Sequence, residues 1–134
     1  MTESVEETRQ LQLDFEKITR MHGQCVIPAA VQDSRTREVI LIAYVNAIAL
    51  RESIATRRAV FWSTSRNKLW RKGDEESGNG FVVDEIRVNC EQNSLVYLVT
   101  PCDGGICHTK DANGQNRNCY YRRIDFATGA LEFI

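Results

Sequence analysis

An α+β domain, rich in antiparallel β-strand and carrying two helices, is the fold class that this 134-residue sequence predicts. Three observations point to it. Short runs rich in Val and Ile recur between polar turns, as strands do. Two segments set apolar residues at helical spacing behind a capping residue. The length suits one domain, residues 1–134, with a core of its own, and no internal repeat, low-complexity tract or linker divides it.

The elements follow in chain order. "SVEETRQLQLDFEKITRM" opens with Ser4 and Glu7 at capping-box spacing and places Leu11, Phe15 and Ile18 on one face, which predicts an N-terminal helix. "QCVIPAAVQD" and "REVILIAYV" flank the polar turn "DSRTR" and should pair as a hairpin. Asn46 is placed to cap a second helix, "AIALRESIATRRA", with Ala47, Leu50 and Ile54 on the inward face and the arginines in water. Strands are expected at Val60–Ser63, Phe81–Val88, 94–100, 119–124 and 131–134. The stretch "PCDGGICHTKDANGQNRN" is too rich in Gly, Asn and Asp for regular structure, and long irregular loops in compact domains are usually functional.

Seventeen basic residues against eighteen acidic ones give a formal charge of −1, which argues against nucleic acid or an anionic membrane as a general partner. No apolar run approaches the roughly 20 residues that span a bilayer, and the acidic start "MTESVEETRQ" is unlike a signal peptide, so a soluble cytoplasmic protein is expected. In a reducing compartment the five cysteines favour free thiols or a metal site over disulfides. Cys25 reads as a small buried apolar residue.

Two stretches suggest chemistry. "LWRKGDEESGNG" gathers Trp70, Arg71, Lys72, three carboxylates and three glycines, a composition suited to a solvated turn or to a backbone left open to an anion. Trp62 reads as core and Trp70 as either core or stacking platform. Cys90, Cys107 and Cys119 are spaced C-x16-C-x11-C, with His108 beside the second. Three thiolates around zinc leave a fourth position for water, whereas closure by Cys102 or His108 would make the site structural. This spacing is not a zinc-knuckle pattern, and buried or loop cysteines satisfy it equally.

"IPAAVQD", "EVILIAYVN", "ALRESIATRRAVFWSTSRNKLWRKG", "ESGN", "EIRVNC", "CHT" and "CYYR" stand in an order and spacing that resembles the phosphoribosyl-AMP cyclohydrolase family of histidine biosynthesis, over about residues 24–123. The resemblance implies an intertwined homodimer in which zinc is held by Cys90 of one chain and by Cys107 and Cys119 of the other. It implies a small phosphorylated nucleotide as partner, surrounded by Asp33, Trp70, Arg71, Lys72, Ser77, Asn79 and Arg87. The implied reaction is hydrolysis of the adenine ring between N1 and C6. Zinc suits it by lowering the pKa of a bound water from about 16 towards 7, and His108 would move the proton. Arg71, Lys72 and Arg87 suit charge-assisted contacts to phosphate or ribose.

Three departures from the family pattern stand out. The acidic cluster D-C-D-x-D that would bind magnesium reads Asn89, Cys90, Glu91, Gln92, Asn93, leaving Glu91 as its one carboxylate ligand and the magnesium site weakened. "KGDEESG" carries one residue more than the usual loop, which shifts Ser77 and Asn79 relative to the phosphates. "HTKDANGQNRNC" is longer than usual between Cys107 and Cys119, at small closure cost. Two alternatives therefore accompany the parent activity: a diverged hydrolase of another purine nucleotide or heterocycle, and a non-catalytic zinc-stabilised module binding nucleotide or RNA through "RNKLWRK".

Overall fold

A computed structural model describes residues 4, 6–11, 23–73, 80–102, 106–107 and 109–134. Eight strands and one helix are found among them: β1 (Ile27–Asp33), β2 (Val39–Val45), α1 (Ala47–Thr56), β3 (Val60–Ser63), β4 (Lys68–Arg71), β5 (Phe81–Val88), β6 (Leu95–Pro101), β7 (Arg122–Ile124) and β8 (Leu131–Phe133). The main sheet has the order β2-β1-β6-β5, while β3-β4 and β7-β8 form two-stranded ribbons.

The expected hairpin is present: β1 and β2 pair antiparallel, with Ile27 opposite Val45. The all-antiparallel expectation is corrected at the centre, where β1 and β6 run parallel with Ala29 opposite Leu95. A parallel pair needs a long crossover, and everything from β2 to β5 supplies it. β5 and β6 return to antiparallel pairing, with a bulge at Asp84. That bulge has a purpose in the packing. Asp84 Oδ2 accepts from Ser34 Oγ and Thr100 Oγ1, both at 2.7 Å, and so ties the end of β1 to both strands of the hairpin.

Alternate side chains of three strands line one face: Ala29 and Val31 of β1, Leu95, Tyr97 and Val99 of β6, and Phe81 and Val83 of β5 are buried. Phe61 of β3 joins them, its ring centroid 5.5 Å from that of Trp70 and 5.6 Å from that of Tyr97. Trp70 thus packs against the core, and its strand β4 lies inside the charged stretch expected to be a loop. Pairing explains the difference: Phe61 sits opposite Trp70 across the ribbon, and this cross-strand contact outweighs the polar neighbours. Trp62 is half-buried, donating from Nε1 to Gln24 Oε1 at 3.1 Å.

Helix α1 begins where expected, with Asn46 Oδ1 accepting the Ala49 N–H at 2.9 Å, and ends at Arg57 in a left-handed conformation. Its inward face matches expectation at Leu50, which packs against the core, but not at Ala47 or Ile54. Ala49 and Ser53 are buried, whereas Ile54 is 59% exposed and Ala47 is exposed. Small residues let the helix approach closely, and Ser53 Oγ then bridges the backbone of β3, accepting from Val60 N at 2.9 Å and donating to Val60 O at 3.1 Å.

The N-terminal helix is not seen where residues are described. Residues 6–11 form a turn followed by bends, and the rest of that segment lies outside the described residues. The backbone there is claimed by the C-terminal ribbon: Tyr121 donates to Glu6 O, Arg122 to Thr8 O, and Leu131 N to Arg9 O at 2.6 Å. Cys25, expected to be buried, is exposed. No helix among the described residues is long and apolar enough to cross a membrane.

Replacing Ser53 by Ala removes both bonds to Val60 and is expected to cost about 1–3 kcal/mol, since buried polar groups lose their partner. Urea unfolding of the two proteins, with unchanged m-value, is the measurement that checks it.

Candidate metal and nucleotide site

The long segment after β6 is built to bring two thiols together. Cys107 N donates to Arg117 O at 2.8 Å and Arg117 N donates to Thr109 O at 2.9 Å, so the chain returns alongside itself and sets Cys119 beside Cys107. Lys110 and Asn116 form a further bridge, and Asp111 Oδ1 closes the tip by accepting from Asn113 N and Gln115 N, each at 2.9 Å.

Cys107 is buried and takes a hydrogen bond from Thr109 Oγ1 at 3.3 Å. Cys119 is half-buried and its thiol hydrogen-bonds with Cys107. Burial first, then the charge of Cys107 and the hydrogen bond with it, push the Cys119 thiol up to about 12, while Lys72 pulls the other way. Burial likewise raises the Tyr120 hydroxyl, with the charges of Cys119 and Tyr44 adding to it. Two soft donors thus lie together with a cation nearby. The expected strand at 119–124 is accordingly shorter, beginning only at Arg122 once Cys119 has been committed to the thiol pair.

Lys72 is buried, 7% exposed, with Nζ 4.9 Å from the Phe81 ring centroid and 5.8 Å from that of Trp70. Its backbone is pinned by Lys72 N donating to Ala59 O at 3.1 Å. Gly80 completes the enclosure, because a Cβ there would lie 3.2 Å from Lys72 O and 2.9 Å from Arg58 Nη2. Arg71 turns the opposite way, onto α1, with Nη2 2.8 Å from Glu52 Oε1 and Nε on Glu52 Oε2. That hydrogen bond and charge hold the Glu52 carboxyl below its ordinary range, against some desolvation.

Asp33 is buried at the end of β1 and shapes the turn that follows. Its Oδ1 accepts from Arg35 N at 2.8 Å and Thr36 N at 3.3 Å, and Arg35 Nη2 lies 3.4 Å from Oδ2. Desolvation alone would raise this carboxyl, but the Arg35 backbone, the Arg35 guanidinium and the Thr36 backbone together hold it below its ordinary value.

Arg87, Cys90 and Glu91 stand elsewhere. Arg87 is exposed near the far end of β5 and pairs with Glu85, and Cys90 and Glu91 are exposed in the turn beyond. Strand β5 starts at Phe81, beneath Lys72, and ends at Val88, two residues before Cys90. Its eight residues oppose seven of β6 across the bulge, a span of about 20 Å at roughly 3.4 Å per step. Within one chain Cys90 is therefore far from the Cys107–Cys119 pair, and among the described residues no three His, Cys, Asp or Glu side chains cluster as metal ligands. Ser77, Asn79 and His108 lie outside the described residues. Thr109 and Tyr120, neighbours of the two thiols, escaped the sequence reading although both stand in the motifs "CHT" and "CYYR".

Comparison with known proteins yields a family model described as phosphoribosyl-AMP cyclohydrolase, matching residues 41–121. A protein of that name from Methanothrix thermoacetophila is 46% identical over 100 residues, covering 75% of this chain and 77% of its own length. One from Sphingopyxis alaskensis is 41% identical over 117 residues, covering 87% of this chain and 86% of its own length. One from Cenarchaeum symbiosum is 42% identical over 113 residues, covering 84% and 94% respectively.

Asp33→Asn supplies a pH test of the turn. Because the folded-state pKa is depressed, the carboxylate stabilises the fold above its unfolded pKa of about 3.9, and this is lost as pH falls through the lower folded value. The variant is expected to be less stable near neutral pH by on the order of 1 kcal/mol, with the gap closing as pH drops below about 4. Thermal unfolding midpoints of both proteins across that range give the comparison.

Proposed function

The chain belongs to the phosphoribosyl-AMP cyclohydrolase family, and on that premise we propose that it hydrolyses the adenine ring of phosphoribosyl-AMP between N1 and C6, in histidine biosynthesis. The observation that carries this is the juxtaposition of Cys107 and Cys119 at the end of the sheet where Lys72 and Trp70 also lie. The donor set fits zinc, since two adjacent thiols are soft ligands and a buried ammonium offsets the charge they acquire. Cys107 and Cys119 of one subunit, with Cys90 of a second, would hold the ion. Zinc, when bound, activates water as a Lewis acid.

A homodimer would reconcile this geometry with a three-cysteine site. With Cys90 at one end of β5 and the thiol pair at the other, a two-fold arrangement of copies would build two identical sites, each from opposite ends of two chains. Exposed apolar side chains on α1 and β2, Ile48, Ile54, Val39 and Ile42, give a second copy surface to cover.

His108, next to Cys107 in sequence, takes the role of proton carrier between the attacking water and the ring nitrogen. Asp33, Trp70, Lys72, Ser77, Asn79 and Arg87 would form the nucleotide's surroundings, with different duties, whereas Arg71 is engaged by Glu52 on α1 and would have to leave it to reach a phosphate. Asp33 holds its turn and presents Arg35, which is largely exposed. Lys72 would serve the thiol pair, and Trp70, packed on Phe61, would back the nucleotide site from the core side. Arg87, at the Cys90 end, would approach the nucleotide from the second subunit.

Purified protein is expected to elute as a dimer, to retain zinc, and to change the ultraviolet absorbance of phosphoribosyl-AMP. Replacing His108 by Ala should lower kcat by about 10²–10⁴-fold with zinc content unchanged. Metal analysis beside steady-state kinetics checks both. Absence of turnover in zinc-loaded dimer, with magnesium also supplied, would refute the assignment.

A further inference from the structure

The turn that displays Cys90 is closed by its own amides. Asn89 Oδ1 accepts from Asn93 N at 2.9 Å and from Ser94 N at 3.0 Å, and Asn89 Nδ2 donates to Asn93 Oδ1 at 2.6 Å. Asn93 Nδ2 donates in turn to Glu91 Oε2 at 3.2 Å. The backbone closes around them: Gln92 N donates to Asn89 O at 3.1 Å, Asn89 N donates to Ser94 O at 3.2 Å, and Gln92 takes a left-handed φ of 57°. Cys90 is left exposed between the strand and this knot.

The family resemblance implies carboxylates at positions 89, 91 and 93 and a magnesium ion among them, and the residues present do not fit that ion. A carboxamide oxygen has two lone pairs, and both on Asn89 Oδ1 are committed to backbone N–H groups. Asn93 Oδ1 is engaged by the Asn89 amide. Glu91 remains, one exposed carboxylate that already accepts a hydrogen bond. Magnesium sheds its waters reluctantly and asks for charged oxygens in near-octahedral array, so one such group on a surface turn does not hold it.

The substitution also removes the need for the ion. Three carboxylates on one tight turn repel one another until a cation draws them together. Two amides and one carboxylate attract, because each amide supplies both a donor and an acceptor. We infer that in this chain the Asn89–Asn93 amide pair takes over the cation's task of fixing the turn that presents Cys90, and that the protein works without magnesium at residues 89–93. The catalytic consequence rests on the function proposed above; the binding consequence does not.

Manganese, a paramagnetic stand-in for magnesium, tests this on zinc-saturated full-length protein. Its free-ion electron paramagnetic resonance signal should be undiminished by the wild type, whereas Asn89→Asp with Asn93→Asp, restoring carboxylates around Glu91, should sequester manganese at least about tenfold more tightly. Manganese bound by the wild type and released in Glu91→Gln would overturn the inference, as would failure of the double variant to gain affinity. Asn89→Ala should weaken zinc retention against a competing chelator by about tenfold, within the range for groups that orient a ligand, and Asn89→Asp with magnesium present should recover it. Unchanged zinc retention in folded Asn89→Ala would remove the positioning role. With phosphoribosyl-AMP, wild-type kcat/KM should vary less than about twofold from zero to roughly 10 mM magnesium, and strict dependence on magnesium would contradict the inference. Absence of turnover at every magnesium concentration would instead defeat the proposed function, leaving the manganese result to judge the turn.

Discussion

Eight residues of β5 set the distance that the remainder of the site must accommodate. The strand is paired along its length with β6, from Phe81 opposite Pro101 to Val88 opposite Leu95, so it cannot shorten or fold back without breaking the ladder. Lys72 and the thiol pair belong to one end of this hairpin, and Cys90 to the other. Any ion that uses all three sulfurs must be shared between copies of the chain. Quaternary structure and chemistry are then one question.

At the thiol end, packing decides the electrostatics. Burial opposes ionisation of Cys119 and the neighbouring Cys107 adds to that opposition, so the Cys119 thiol stays protonated at neutral pH. Lys72 is held in the same low-dielectric surroundings by two aromatic rings and by the close approach of Gly80. Cys107 and Cys119 would be the residues to hold a soft metal ion here, and Lys72, which already favours the charged form of Cys119, would help to balance it. At the Cys90 end the logic is the reverse. The turn is exposed, its charges are few, and order comes from amide hydrogen bonds rather than from burial.

Much of this was legible in the sequence, and the exceptions have physical causes. Alternation in Ile27–Asp33 and Val39–Val45, the Asn46 cap, and the apolar positions of Phe81–Val88 are local signals, and local structure followed them. The helix face was misjudged because hydrophobicity favoured Ile54, whereas close approach to β3 selected Ala49 and Ser53. Strand β4 was hidden by Lys68 and Arg71, whose side chains lie outside a ribbon held by the Phe61–Trp70 contact. The parallel pairing of β1 with β6 is a contact between residues more than 60 positions apart, to which no local pattern speaks. Among site residues, the three cysteines were visible as a spacing, and their division into one and two came only with the family resemblance, not from the spacing itself. Spacing carries no direction, and the distance between the two ends emerges only once β5 is seen paired with β6 from Phe81 to Val88.

Subunit mixing tests the central claim most directly. In a shared site, Cys90→Ser damages one contribution and Cys119→Ser the other, so neither homodimer retains zinc, yet a mixed dimer contains one site built wholly from intact residues. Co-refolding the two variants should restore zinc binding to about a quarter of the wild-type level, the statistical yield of one good site in half of the dimers. No restoration, in mixtures shown to have exchanged subunits, would mean that the three sulfurs are not divided between copies and would contradict the account.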